Sequence, residues 1–303
     1  MSQIVDEIKQ LAKEKDAVIL AHYYVNGDVQ DVADYVGDSF YLAQMAREDP
    51  RKTIVFCGVT FMGESASILN PDKTVIVPDA SALCPMAMMV NKEKVAEMRE
   101  KYDDLAVVSY INSYAETKTL ADVCVTSSNA VKIVKQLPQK NIYCIPDGNL
   151  SRYIAKQVPE KNVIPGFGYC HVHDDMRYED VEDMREAHPN AEVLAHPECR
   201  MEVLDEADFI GSTKAIINHA VNSDRDEFIV FTESGVGHEL QKLAPEKKFY
   251  FMGEGYQCKN MKKITLESLR DCLKAGGPVL KVEEDVRLKA VPSLERMLEL
   301  GSN

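Results

Sequence analysis

Three cysteines, Cys84, Cys170 and Cys258, stand 86 and 88 residues apart, each beyond a short apolar run: "TVIVPDASALC", "NVIPGFGYC" and "KFYFMGEGYQC". None belongs to a C-x-x-C pair, so neither a zinc ribbon nor a redox dithiol accounts for them. A single free cysteine is commonly a buried filler. Three in register suit a metal centre with one open position. A [4Fe–4S] cluster held by three cysteines leaves one iron free, which fits Lewis-acid work better than electron transfer, where four cysteines normally close the cluster. Zinc with water in the fourth position is an open alternative, although no histidine is in register with the trio. Three unrelated core thiols at equivalent packing positions are the plain structural alternative.

Other landmarks keep the same interval. "AVILAHYY", "LAVVSYIN" and "AEVLAHPE" are apolar strands that end in His22 and Tyr24, Tyr110 and Asn112, and His196 and Glu198. "ADYVGDSFYLAQMA", "ADVCVTSSNAVKIV" and "ADFIGSTKAIINHA" each begin Ala-Asp and reach a small hydroxyl residue before a helical pattern, placing Ser39, Ser127, Ser212 and Thr213 at helix starts. For any one of these the bland reading is an N-cap. Three helix N-termini aimed at one centre would instead make an anion pocket. Glu198 is harder to read as structure, because buried carboxylates need partners and one beside a histidine can shuttle protons. In "CHVHDD", His171 and His173 alternate on a strand-like stretch, which points one toward the site; His173 is the expected inward residue.

The elements that must position these groups follow from the repeat. Strands alternating with helices predict an α/β chain of three homologous three-layer αβα units, with mostly parallel sheets around a pseudo-threefold axis. The units run over 1–84, 85–170 and 171–258. The tail 259–303 carries two helical patterns and is expected to pack back on the first unit. Ligands in parallel sheets bind beyond the carboxyl ends of strands, which is where every residue named above falls.

Composition bounds the function. The chain has 303 residues and a formal charge of −14, which argues against nucleic acid or an anionic membrane as main partner. No apolar run nears the ~20 residues of a membrane span, and the amphipathic start "MSQIVDEIKQLAKEKD" does not read as a signal peptide. A soluble cytoplasmic protein with reduced thiols is expected, so Cys57, Cys124, Cys144, Cys199 and Cys272 should be inert.

The segments "LAHYYVNGDVQDVADYVGDS", "VIVPDASALCPMA", "KTLADVCVTSSNA", "AHPEC", "FIGSTKAI" and "CKNMKKITLE" resemble the quinolinate synthase family. The resemblance implies condensation of iminoaspartate with dihydroxyacetone phosphate to quinolinate, phosphate and two waters, in NAD biosynthesis. It implies a [4Fe–4S] cofactor on Cys84, Cys170 and Cys258, whose open iron acts as Lewis acid. It carries substrate binding to His22, Ser39, Tyr110, Asn112, Ser127, His196, Glu198, Ser212 and Thr213, and acid–base roles to Tyr24 and Glu198, with His173 and His196 in the pocket. It also implies small-molecule partners and transient contact with the oxidase or dehydrogenase that makes iminoaspartate. The chain has no C-x-x-C-x-x-C segment of the kind some relatives carry near their C-terminus.

Overall fold

The computed structural model describes residues 3–302. Its first unit holds α1 (Gln3–Glu14), β1 (Ala17–His22), α2 (Gly27–Val32), β2 (Tyr35–Gly37), α3 (Ser39–Glu48), β3 (Thr53–Cys57), α4 (Thr60–Leu69) and β4 (Thr74–Ile76). The second holds α5 (Lys92–Lys101), β5 (Leu105–Tyr110), α6 (Ala115–Lys118), β6 (Val123–Val125), α7 (Ala130–Gln136), β7 (Asn141–Ile145), α8 (Gly148–Gln157) and β8 (Asn162–Pro165). The third holds α9 (His171–Asp174), α10 (Tyr178–Ala187), β9 (Glu192–Ala195), α11 (Met201–Leu204), β10 (Phe209–Ile210), α12 (Thr213–Asn222), β11 (Glu227–Phe231), α13 (Val236–Leu243) and β12 (Lys248–Phe251). Two helices follow, α14 (Leu266–Ala275) and α15 (Glu284–Ser302).

Each unit forms a four-stranded, all-parallel sheet, and the three orders are the same: β2-β1-β3-β4, β6-β5-β7-β8 and β10-β9-β11-β12. The chain is an α/β protein of three αβα units. Strands β1 and β5 are buried along their whole length, as expected where helices cover both faces of a parallel sheet.

The repeated Ala-Asp pair has a structural task. Asp34, Asp122 and Asp208 each receive the backbone N–H of the central strand through Oδ2: Ile19 at 2.8 Å, Val107 at 2.7 Å and Val193 at 2.8 Å. Their own N–H groups donate back to the carbonyls of the same three residues. This reciprocal clamp sets where the short second strand meets the first, and so where the following helix begins. An arginine holds each outer carboxylate: Arg51, Arg99 and Arg185.

The tail differs from expectation. Helix α14 packs on α1 of the first unit, but α15 lies against α4 of the first unit and against α6, β6 and α7 of the second. The reason is apolar area: Ala290, Leu294, Met297 and Leu298 of α15 are buried in a core that runs continuously through units one and two. Burying a Leu or Met side chain contributes about 1.5–3 kcal/mol, so this face fixes the helix at the seam. Unit three keeps two separate apolar clusters, centred on Val193, Ile229 and Phe231 and on Phe228, Val230 and Leu240. No helix among the described residues is long and apolar enough to cross a membrane.

Candidate active site

A cavity of roughly 690 Å³ lies at the carboxyl ends of the strands. It gathers His22, Tyr24, Ser39 and Cys84 from unit one, Tyr110, Asn112, Ser127 and Cys170 from unit two, and His173, His196, Glu198, Thr213 and Cys258 beyond them. Of the residues singled out in the sequence, Ser212 alone does not line it. Its hydroxyl caps α12 by accepting the Ala215 N–H at 3.3 Å. The neighbouring Thr213 turns inward instead, and its Oγ1 lies 2.8 Å from the Tyr24 hydroxyl. Ser39 is free of capping because Asp38 caps α3, taking the Tyr41 N–H at 2.9 Å. Ser127 is likewise released, since Asn129 Oδ1 accepts the Thr126 N–H at 2.7 Å in the turn before α7.

The segment "HVHD" is helical, not strand-like: it forms α9, and its carbonyl acceptors close one short turn. Two residues apart on a helix still face nearly opposite ways, so His173 points into the cavity, 1% exposed, while His171 remains partly exposed.

One chain of polar contacts crosses the cavity wall. Tyr24 Oη lies 2.9 Å from Thr232 Oγ1, and Thr232 Oγ1 lies 2.9 Å from His173 Nε2. His173 Nδ1 is 3.3 Å from Glu198 Oε2, which is also 3.2 Å from His196 Nδ1. His196 Nε2 then reaches Ser127 Oγ at 3.1 Å. The two imidazoles stack with centroids 4.7 Å apart. A local turn helps to aim them: the N–H of Glu198 donates to His196 Nδ1 at 3.3 Å, as that of Tyr24 does to His22 Nδ1 at 3.2 Å.

Burial resists charge along this chain. It lowers His22 and His173 to about 3 and raises Tyr24 and Tyr110 well above the usual phenol range, with the Glu198 charge adding to the tyrosine shifts. For Glu198 burial opposes ionisation too, but the imidazoles of His173, His196 and His22 outweigh it and hold the carboxyl below its ordinary value. The site thus keeps one carboxylate among imidazoles and protonated phenols, an arrangement able to pass protons in either direction. Glu198 Oε1 and Asn112 Oδ1 are buried and have no hydrogen-bond partner among the described residues, so both can still receive a ligand.

Cys84, Cys170 and Cys258 are free thiols on the same cavity. Burial pushes Cys84 up to about 12 and raises Cys170 and Cys258, and the charge of each of the three disfavours that of at least one other. Three such thiols ionise together only around a cation, as metal ligands do. The donor chemistry therefore fits an iron–sulfur group. Cys170 Sγ, His173 and Glu198 also bring donor atoms within 4.8 Å of one another, a set that suits a single metal ion. The other five cysteines are buried elsewhere: Cys57, Cys124 and Cys144 in strands, Cys199 under β11 with Sγ 3.5 Å from the Phe231 carbonyl, and Cys272 in α14.

Comparison with known proteins agrees with this site. The family described as "Quinolinate synthetase A protein" matches residues 6–299. A protein of Fusobacterium nucleatum named "Quinolinate synthase" is 55% identical over 298 residues, covering 98% of this chain and 99% of that one. This chain belongs to the quinolinate synthase family. Further relatives of that name come from Caldicellulosiruptor bescii, 51% identical over 296 residues (98% of either chain), and Caldicellulosiruptor saccharolyticus, 48% identical over 301 (99% of either). The family places the chain among the enzymes of NAD biosynthesis, and an iron–sulfur cofactor is compatible with it.

Some residues of this quinolinate synthase family site escaped the sequence reading. Thr232 and Glu233 follow β11, and the repeat offered a signal for them, because the ends of the third strands also face the cavity. Glu233 lines it, fully buried. Lys118 gave no such signal. Its ammonium is fully buried and donates to the carbonyls of Ile111, at 3.0 Å, and Ser113, pinning the turn that carries Asn112. Burial lowers it to about 8.

Proposed function

We propose that this chain condenses iminoaspartate with dihydroxyacetone phosphate, giving quinolinate, inorganic phosphate and two waters. In this reading Cys84, Cys170 and Cys258 hold a [4Fe–4S] cluster, which when bound supplies an open iron as Lewis acid for the loss of water. The observation that carries the reading is the contact chain from Tyr24 through Thr232, His173, Glu198 and His196 to Ser127, set beside three free thiols.

Each part of the chemistry has a residue suited to it. The substrates bring two carboxylates and a phosphate, and the cavity offers hydroxyls of Ser39 and Thr213 at the first turns of α3 and α12, with Ser127 and the Asn112 amide opposite. Helix N-termini favour such anions despite the net charge of −14. Isomerisation, imine closure and aromatisation each move a proton. Tyr24 and Ser127 end the contact chain at two sides of the cavity, and Glu198 holds a proton between the two imidazoles. Tyr110 shields the base of the cavity from water with its buried ring. Transient contact with the enzyme that supplies iminoaspartate belongs to the same proposal.

The test is anaerobic reconstitution with iron and sulfide, followed by assay of quinolinate and phosphate from the two substrates. Stoichiometric release of both products is expected, with about four irons per chain. A single divalent ion per chain, bound without sulfide, would favour the Cys170–His173–Glu198 set as a mononuclear site and overturn the cluster.

A further inference from the structure

Glu233 sits two residues past the end of β11, where the second unit has Asp147 past β7 and the first has Val59 past β3. Its carboxylate has no exposed surface, and every contact it makes holds something else in place. Oε2 accepts the Gly235 N–H at 2.6 Å. Oε1 accepts the N–H of Cys258 at 3.2 Å and lies 3.0 Å from Lys262 Nζ. That ammonium donates in turn to the carbonyl of Tyr24 at 2.8 Å. Asn26 of the first unit closes the circuit, its Nδ2 donating to the carbonyls of Lys262 at 3.2 Å and Ile264 at 2.7 Å. The packing is tight: a Cβ on Gly235 would stand 2.7 Å from Glu233 Oε2, 2.8 Å from Lys262 Nζ and 2.8 Å from the Tyr23 carbonyl.

We infer that Glu233 is a positioning residue that latches Cys258 of the third unit to the Tyr24 strand end of the first, with Lys262 as the bolt. The inference rests on the cluster reading only for its consequence in catalysis. The need for a latch follows from the cores. Units one and two share a continuous apolar core, whereas unit three keeps its own, so apolar packing alone does not set the third cysteine against Tyr24. A buried carboxylate that accepts one backbone N–H and one ammonium fixes both in direction, which apolar contact does not. The second unit supports the assignment independently. Asp147 there lies beside the backbone N–H of Cys170, so the same position in the repeat attends to a cysteine twice.

The experiment uses the metal-free full chain and iodoacetamide, with labelling of each cysteine followed by mass spectrometry. The double variant Glu233→Gln with Lys262→Met keeps shape and removes both charges without leaving one buried alone. Gly235→Ala is an independent second variant that displaces the same groups sterically. Labelling of Cys258 is expected to rise about tenfold in each, the effect of turning one charged acceptor neutral, with Cys84 and Cys170 unchanged. Glu227→Gln, which loosens the partly exposed pair with Lys248, is the control and should change none. Unchanged Cys258 labelling, or an equal rise at all three cysteines, overturns the latch. In reconstituted enzyme the latch variants should lose kcat with KM unchanged. A wild type that takes up no iron would refute the cluster, while selective Cys258 labelling would leave the latch standing.

Discussion

Removing the Thr232 hydroxyl tests the proton path directly, because that one oxygen joins Tyr24 to His173 at 2.9 Å on either side. Thr232→Val keeps the branched shape of a residue 1% exposed and deletes two hydrogen bonds. At about 0.5–1.5 kcal/mol each, plus an orphaned buried His173 Nε2, stability should fall by about 1–3 kcal/mol. For a chain of this size that is a few degrees in Tm. Tyr24→Phe should cost similarly, since the Tyr24 hydroxyl also loses Thr213. Activity is the sharper readout. Each single variant should lower kcat about 10²-fold if a proton passes along the path. The double variant should also lose about 10²-fold, because a path already cut is not cut again. Independent roles would multiply to about 10⁴-fold, so the cycle should show a coupling of about 2.7 kcal/mol. The assay is steady-state quinolinate formation by reconstituted enzyme, with melting curves run alongside. A multiplicative double variant, or a Thr232→Val enzyme with wild-type kcat, would refute the relay.

Further outcomes follow from the same geometry. Cys84→Ala, Cys170→Ala and Cys258→Ala should each lose iron and activity, whereas Cys199→Ala, whose thiol faces the Phe231 carbonyl, should retain both; iron and sulfide counts after reconstitution decide it. His22 is held at about 3 in the native state against 6.5 unfolded, so between those values only the unfolded chain takes up its proton and stability falls as pH drops. The slope approaches about 1.4 kcal/mol per pH unit, and urea midpoints at pH 6.5 and 5 should converge in His22→Gln. Asp208→Ala removes the acceptor of the buried Val193 N–H and should cost about 1–3 kcal/mol of stability without touching the cavity, read by urea unfolding with kcat retained.

The repeat made the sheets legible because its landmarks are covalent spacings: Ala-Asp pairs, strand-end residues and cysteines recur wherever the same αβα unit recurs. The cavity residues were legible for the same reason, since parallel strands deliver their ends to one side. What the spacing could not convey was pairing in space. Ser212 and Thr213 are adjacent in sequence, and only the backbone at the start of α12 decides that the first caps and the second faces Tyr24. His171 and His173 point apart in either a strand or a helical turn, so the inward histidine could be named while the element was misread. Lys118 is an exposed-type residue that becomes fully buried because three acceptors of the Ile111–Ser113 turn surround its ammonium, and no periodicity encodes such a turn. The seam position of α15 depends on an apolar groove built jointly by two units, which neither unit's sequence describes alone.

The departures from threefold symmetry explain how one scaffold supports this chemistry. At equivalent strand ends stand Tyr24, Asn112 and Glu198: a phenol, an amide and a carboxylate. Three carboxylates facing one buried cavity would raise one another's pKa and remain largely protonated, leaving no base. Three phenols would leave no acceptor at all. With a single Glu198, the carboxylate is set against His173 and His196 at 3.3 and 3.2 Å, with His22 also favouring its charge, and stays ionised while fully buried. The same charge then keeps Tyr24 and Tyr110 protonated, so acid and base are held apart in one connected network. The cysteines follow the opposite rule. They recur once in every unit, because a shared cationic centre favours equivalent ligands where a proton relay requires unlike ones. Duplication supplies the metal site, and divergence at the first-strand ends supplies the catalyst.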